Sequence, residues 1–169
     1  MTSYLAVATR QVPRNHWGAL SRTLVKLHSY FGPVSWTGTM FEYFMPELLL
    51  SCPEGSLGYE GLRFCLYSQK QHAKHLKLPY GISESSFYSF DSSLNYQYKA
   101  HGVQKLALKQ GMNDETVLSP YSSYLTLQYD FESAYKNIKQ LYRLGVRGKY
   151  GLYEAVDFTK KRVGIINLK

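Results

Sequence analysis

The chain has 169 residues, the length of one domain, and its 44% content of hydrophobic residues is enough to bury a core, which excludes a disordered segment. No apolar run approaches the roughly 20 residues that cross a bilayer, so we predict no membrane span. The net charge of +8 admits a nucleic-acid-binding module, but the basic residues are scattered, and we expect a solvated basic face with no nucleic-acid partner.

The first half of the chain is predicted to be mostly helical. Asn15 is placed to cap a helix that extends to about His28, with apolar residues at spacings of three and four. A loop with Gly and Pro follows, and a second helix begins after Thr39, where Pro46 kinks or restarts it. Residues 59–76 carry apolar side chains on or near one face, which predicts a long third helix.

The middle of the chain is predicted to be a functional loop. Residues 79–98 read as one irregular segment, and a stretch of that length is more often functional than idle. We predict that a helix resumes over residues 95–100. Together with the flanking helices, this pattern indicates an all-α fold of helix hairpins whose functional residues lie in the loops between the helices.

The last third of the chain carries clear helix signals. Ser119 and Pro120 predict the start of one helix, because Pro is favoured at the first helical position. Asp130 predicts the cap of the next helix, and Gly145 predicts its end. Another polar and aromatic loop follows, and residues 160–169 predict a short strand.

Three glutamates share a setting that suits acid–base chemistry. Glu42, Glu84 and Glu154 each have aromatic residues nearby and no adjacent acid, a setting in which burial raises a carboxyl pKa towards neutrality. Each can instead be structural, as a helix cap or a hydrogen-bonded core carboxylate. Glu84 and Glu154 lie in loops beside Gly, with hydroxyl groups or Arg147 nearby, whereas Glu42 lies on a helix and suits an orienting role.

The aromatic content points to a sugar. Sixteen Tyr and two Trp exceed what a core of this size requires. A tyrosine ring can stack on the apolar face of a sugar while its hydroxyl forms a hydrogen bond. Cleavage of a glycosidic bond also needs two carboxyl groups that flank the bond.

Other chemistries have weak signals. His72 and His75 lack a third ligand nearby, so we predict no metal site. The chain has neither a Gly-rich phosphate loop nor a nucleophile motif. Cys52 and Cys65 read as two reduced thiols, and the N-terminus carries no export signal, so we expect a cytoplasmic setting.

Five strings occur in an order that resembles a known family. They are VSWTGTMFEYFMP, YGISESSF, LNYQYKAHGV, SPYSSYLTL and GKYGLYEAVDFT. In this order they are similar to the glycoamylase-like domain of cyclic β-1,2-glucan synthases, and the similarity extends from about residue 4 to residue 163. Five ordered motifs are far more specific than any one of them.

The resemblance implies a fold and an activity. It implies an all-α (α/α)6 toroid of helix hairpins with a carbohydrate cleft at one end. It also implies cleavage of linear β-1,2-glucan and transglycosylation into a ring by carboxylate chemistry, without a metal or an organic cofactor. The implied partner is β-1,2-glucan or a related oligosaccharide.

The resemblance also implies the site residues. Glu84 and Glu154 fall on the family's motif carboxylates and form the expected catalytic pair, with either one as the acid, and Glu42 is the third catalytic candidate. The expected substrate-binding residues have rings, hydroxyls or charges that suit a sugar. They are Trp36, Tyr96, Tyr98, Arg147, Tyr150, Tyr153 and Asp157.

The sequence departs from the family pattern near its end. The family domain continues into further helices that the last residues here do not resemble, so we expect residues 1–169 to form a single partial domain without the C-terminal helices of the toroid. A truncated remnant that at most binds glucan is therefore the alternative to an active domain. We expect the chain to lie in the cytoplasm, either free or beside the other parts of a split, membrane-bound synthase.

Overall fold

The structure is a computed structural model that describes residues 2–160 and 162–166. Within that part of the chain, the α-helices are α1 (Thr2–Ala8), α2 (Asn15–Ala19), α3 (Met40–Phe44), α4 (Leu57–Leu76), α5 (Pro120–Leu125) and α6 (Phe131–Arg143). Turns of 3-10 helix add Pro46–Leu48 and Gln104–Leu106. Over the same residues, the helices lack the combination of length and apolar character that a bilayer crossing requires.

The strands form small antiparallel sheets. They are β1 (Leu24–Leu27), β2 (Tyr30–Pro33), β3 (Ser85–Phe90), β4 (Tyr96–Lys99), β5 (Val117–Leu118), β6 (Arg147–Gly148), β7 (Gly151–Leu152), β8 (Ala155–Asp157) and β9 (Gly164–Ile166). The pairs β1–β2, β3–β4 and β6–β7 are hairpins, while β8 lies between β5 and β9 in a three-stranded sheet. Strand β3 packs beside β8 and β9, which brings the β3–β4 hairpin and the three-stranded sheet together.

Helix α4 supplies one wall of the main core. Its buried residues include Leu62, Phe64 and Cys65, and they pack with Met40 and Phe44 of α3. Ser56 caps the helix by accepting a hydrogen bond from the backbone N–H of Tyr59, as expected for a hydroxyl residue at this position. The predicted third helix is therefore confirmed, with a start two residues earlier than expected.

The other clear helix signals are also confirmed. Thr39 caps α3 through a reciprocal pair of hydrogen bonds with Glu42, and the 3-10 turn begins at Pro46, where a break was expected. Helix α5 begins at Pro120, and Asp130 caps α6 by accepting from the N–H of Ser133. The predicted strand near the end is present as β9, while Lys161 and residues 167–169 of that prediction lie outside the described residues.

The predicted all-α fold, part of an (α/α)6 toroid of helix hairpins, is wrong. Hairpins and a three-stranded sheet are formed by segments between the helices and by the segment after α6, so the architecture mixes α and β elements. The predicted helix over residues 15–28 ends at Ala19, because the chain turns into the β1–β2 hairpin. Gly32 of β2 lies so close to the ring of Phe64 that a Cβ there would sit 2.1 Å from it, and this contact fixes the hairpin on α4.

The segment read as irregular is the β3–β4 hairpin. Its turn is built by Asp91, whose carboxylate accepts from the backbone N–H groups of Ser93 and Asn95, and by Leu94 at a φ of 61°. A side chain of this kind replaces the Gly or Pro that usually marks a hairpin turn. The helix predicted for residues 95–100 is therefore also wrong, since strand β4 occupies Tyr96–Lys99.

Candidate functional site

The backbone before Glu84 is fixed by buried polar side chains. Gln69 of α4 donates its amide to the carbonyl oxygen of Ile82 at 2.8 Å and accepts from the Ile82 N–H at 3.1 Å. Gly81 has a φ of +134°, and a Cβ there would lie 2.8 Å from the Ser122 hydroxyl. A left-handed glycine in close contact with α5 therefore bends the chain towards Glu84.

Tyr121 of α5 holds the Glu84 peptide from the other side. Its hydroxyl donates to the carbonyl oxygen of Glu84 at 3.1 Å and lies 2.9 Å from the Ser83 hydroxyl. The Ser83 hydroxyl in turn accepts from the N–H of Phe41 at 3.0 Å. Residue 84 is thus tied to α3 and α5 together.

The Glu84 carboxyl group is only half buried, and no donor among the described residues hydrogen-bonds to it. Partial burial raises the pKa of this carboxyl, and the nearby charge of Glu42 raises it further. A carboxyl group with a raised pKa keeps its proton to higher pH, which suits the role of a proton donor.

Glu154 lies in the connection between β7 and β8, on the same side of the molecule. Its Oε1 atom accepts from the backbone N–H of Ser86 at 3.4 Å, and its own N–H donates to the carbonyl oxygen of Ile166. Ser86 follows Glu84 by two residues along the chain, so the Cα atoms of Glu84 and Ser86 are at most about 7 Å apart. The structure therefore brings the two motif glutamates together.

Two tyrosines mark the space between the glutamates. Tyr98 lies opposite Ser86 in the β3–β4 register, and Tyr121 reaches from α5. Burial raises the pKa of each phenol, and the charges of Glu84 and Glu154 add to both shifts. Each ring is thus close enough to feel both carboxylates.

An open pocket of about 500 Å³ begins beside Glu154. Its volume is in the range of small-molecule sites, and four of its eight lining residues are tyrosines. The lining residues come from α5, α6 and the β6–β7 hairpin with the segment after it. They are Tyr121, Tyr124, Tyr142, Arg147, Gly151, Leu152, Tyr153 and Glu154.

Glu42 has its carboxylate occupied by local donors. Its Oε2 atom accepts from the Ser35 hydroxyl at 2.6 Å and from the N–H groups of Gly38 and Thr37 at 2.9 and 3.1 Å. These bonds tie the loop before α3 to the helix. Glu42 therefore acts on Glu84 through its charge, while its own oxygens are held by the backbone.

The other predicted binding residues divide into two groups. Arg147 and Tyr153 line the pocket, and Tyr98 lies beside both glutamates. Four others lie outside the pocket lining: Trp36 is exposed before α3, Tyr96 packs on Phe90, Tyr150 is 93% exposed in the β6–β7 turn, and Asp157 is fully buried. The Asp157 carboxylate accepts from the N–H groups of Tyr88 and Thr159, which positions β8 against β3.

Three pocket tyrosines were missed by the sequence reasoning. Tyr121 and Tyr124 are three residues apart on α5 and therefore share a face, and the Tyr124 hydroxyl lies 3.1 Å from that of Tyr142 on α6. Tyr121 and Tyr124 belong to the motif SPYSSYLTL, in which Ser119 and Pro120 predict a helix start, whereas Tyr142 lies on the next helix. The spacing of three residues was the signal that could have identified Tyr121 and Tyr124.

The arrangement offers acid–base chemistry to a sugar. Two carboxyl groups stand beside tyrosine rings and an open, aromatic-lined pocket, and the described residues contain no cluster of three or more His, Cys, Asp or Glu that could hold a metal ion. Carboxyl groups beside aromatic rings and an open pocket are typical of carbohydrate-active domains. The chain belongs to the Glycoamylase family, whose model matches residues 1–167.

Two individual proteins are similar to this chain. The cyclic β-(1,2)-glucan synthase NdvB of Rhizobium meliloti (strain 1021) is 39% identical over 163 residues, which are 96% of this chain and 6% of the synthase. A solved structure of the endo-β-1,2-glucanase of Chitinophaga pinensis, in complex with sophorotriose and glucose, aligns with a TM-score of 0.60 at 18% identity. That alignment covers 88% of this chain and 37% of the glucanase, and it shows that the two proteins share a fold over the aligned residues.

Proposed function

We propose that this chain is a domain of the cyclic β-1,2-glucan synthase type, which binds β-1,2-glucan and cleaves and rejoins it. The observation that carries the proposal is the placement of Glu154 against Ser86, two residues from Glu84, beside Tyr98 and an open tyrosine-lined pocket. The similarity to a synthase and to a glucanase, both named for β-1,2-glucan, supports the choice of this polymer.

The two carboxyl groups take different roles in the proposal. Glu84 is the acid: it protonates the glycosidic oxygen as the bond from that oxygen to the anomeric carbon breaks. Its raised pKa and its lack of a hydrogen-bond donor among the described residues support this role. Glu154 is the ionised partner, which either attacks the anomeric carbon or removes a proton from the acceptor hydroxyl.

Rejoining requires that a sugar hydroxyl replaces water as the acceptor. The tyrosine pocket supports this step, because Tyr121, Tyr124 and Tyr142 can stack on sugar rings and Arg147 can hold hydroxyls. Bound glucan would exclude water from the space beside Glu154 and would place its own hydroxyl there. The products would then be rings or lengthened chains in addition to short linear fragments.

The test is turnover of linear β-1,2-glucan by the chain, with products separated by size and ring closure scored by mass spectrometry. Glu84→Gln and Glu154→Gln should each lower the rate by about 100- to 10,000-fold, the usual range for loss of an acid or base. Glu54→Gln is the matched control, because Glu54 is exposed and lies outside the site. Turnover that survives both site changes would refute the assignment.

Glucan binding without cleavage is the second candidate function. The chain spans 37% of the glucanase and 6% of the synthase, so much of what those proteins contain lies outside the matched region. Calorimetry distinguishes the two functions: saturable glucan binding without products would support the second one. Absence of both binding and turnover would exclude both.

A further inference from the structure

A second pocket, which we call the basic pocket, lies away from the tyrosine pocket and shares no lining residue with it. It has a volume of about 490 Å³ and is formed by the β1–β2 turn, the C-terminal half of α4 and the 3-10 turn at Gln104–Leu106. Its lining residues are Leu27, His28, Ser68, Gln71, His72, Lys74, His75, Val103 and Lys105.

The charge of the basic pocket has one sign. Three imidazoles and two ammonium groups come from three separate elements, and none of the described lining residues carries a carboxylate. Lys74 and His75 lie in the last turn of α4, where cations interact favourably with the helix dipole, but that effect does not account for His28 or Lys105. A concave surface lined by one sign of charge concentrates ions of the opposite sign.

Ser68 provides an independent indication of a ligand. The residue is 1% exposed, and its hydroxyl has no hydrogen-bond partner among the described residues. A helical serine commonly donates to the carbonyl one turn earlier, but Ser68 does not. A buried hydroxyl without a partner costs about 1–3 kcal/mol, so its retention at the base of a cationic pocket points to a ligand oxygen as its partner.

The ring of His28 is held by a contact with Tyr67. Its Nδ1 atom lies 3.0 Å from the Tyr67 hydroxyl, and its backbone has a φ of 54°. When the Tyr67 hydroxyl donates to Nδ1, the proton of the imidazole resides on Nε2, which then becomes a donor. A histidine is thus held in a conformation that Gly or Asn adopts at lower cost.

We propose that the basic pocket binds the phosphate group of a small ligand. Lys74 and Lys105 supply charge, while the imidazoles and the Ser68 hydroxyl supply donors from several directions, which suits the oxygens of a tetrahedral anion. Burial lowers the pKa of His72, and the proximity of His75 lowers it further. The other charged or titratable groups that line the pocket are His28, Lys74, His75 and Lys105, so a bound phosphate would supply the negative charge that raises this pKa.

The first test is NMR of the five histidine rings during titration with inorganic phosphate, with chloride adjusted to keep the ionic strength constant. Saturable shifts are expected at His28, His72 and His75, together with a raised pKa of His72. His16 and His101 lie outside the pocket and should not respond. Equal shifts at all five rings would show diffuse charge and would overturn the proposal.

Charge variants test the same site. The side chains of Lys74 and Lys105 are exposed, so Lys74→Gln and Lys105→Gln should retain the fold. Each substitution should weaken phosphate binding by about 2- to 5-fold. Lys109→Gln is the matched control, because it removes one exposed charge outside the pocket lining. A control that weakens binding as much as the other two contradicts a defined site.

Ser68→Ala separates a ligand role from a structural one. In chloride it should leave Tm unchanged or raise it, because a buried unpartnered hydroxyl is removed, and it should reduce the rise in Tm that phosphate produces in the unchanged chain. A lower Tm in chloride with an unchanged response to phosphate would assign Ser68 to the fold. Glucose 6-phosphate and vesicles of phosphatidic acid then identify the source of the phosphate, and binding to vesicles alone would exclude a small ligand.

Discussion

Glu84 combines a fixed backbone with a carboxyl group that the described residues leave without a hydrogen-bond donor. The pKa of this carboxyl is higher in the folded chain than in the unfolded chain, where it is about 4.3. The group therefore contributes stability at a pH below about 4.3, and this contribution is lost as pH rises through the folded value. We expect Glu84→Gln to raise Tm at pH 7 and to give no gain near pH 3.5. Calorimetric melts at the two pH values check this, with Glu54→Gln as an exposed control; a gain at both would reject the linkage.

Glu42 influences Glu84 without sharing a hydrogen bond with it. Burial of Glu84 is the larger cause of its raised pKa, and the charge of Glu42 is the second. Glu42→Gln should therefore lower the pKa of Glu84 and move the alkaline limb of the pH–rate profile to lower pH. Gln also suits this position of a capping box, so the helix should be retained.

The profile of Glu42→Gln needs a readout that is independent of turnover. NMR titration of the Glu84 side-chain carboxyl carbon reports its pKa directly, both in the unchanged chain and in the variant. An alkaline limb that moves to higher pH, or does not move while the Glu84 pKa falls, would show that Glu84 is not the acid.

The element that positions Glu84 is α4, through one buried amide. Gln69 is 1% exposed and pairs with both the N–H and the carbonyl group of Ile82. Gln69→Leu leaves these two backbone groups without partners and should lower the free energy of unfolding by about 2–4 kcal/mol. Urea denaturation measures the loss, and Gln140→Leu on the exposed side of α6 is the control.

The helices could be predicted because their signals are local. Thr39, Ser56 and Asp130 each cap a helix through a hydrogen bond to a backbone N–H within three residues, so cap and helix are read from one short string. The hairpins were missed because they depend on distant partners. Gly32 is explained by the ring of Phe64, and the β3–β4 turn relies on Asp91 rather than on Gly or Pro.

The candidate site also combines features that a local motif predicts with features that depend on distant contacts. Glu84 and Glu154 were identified from their motifs, whereas their proximity depends on the packing of β3 against β8, which no local pattern shows. Asp157 was expected to bind substrate, but its carboxylate is used by the backbone of β3 and of Thr159. A motif residue can therefore carry hydrogen bonds that hold two elements of the candidate site together.

For the whole molecule, the net charge of +8 makes salt a discriminating variable. β-1,2-Glucan is uncharged, so stacking and hydrogen bonds in the tyrosine pocket should give an affinity that changes by less than about 2-fold between 50 and 200 mM salt. A nucleic-acid complex with 6–10 phosphate contacts would lose about 1,000-fold or more over that range. Calorimetric titrations with glucan and with DNA at both concentrations decide between these outcomes.

One peptide unit of β3 serves two neighbours at once. Ser86 is paired with Tyr98 across the hairpin and donates its N–H to Glu154 in the connection between β7 and β8. A shift of β3 would therefore move the ring of Tyr98 and the carboxylate of Glu154 together. Under the proposed function, substitutions at Tyr98 and at Glu154 should therefore be non-additive in their effect on glucan turnover, because both side chains depend on the same Ser86 peptide.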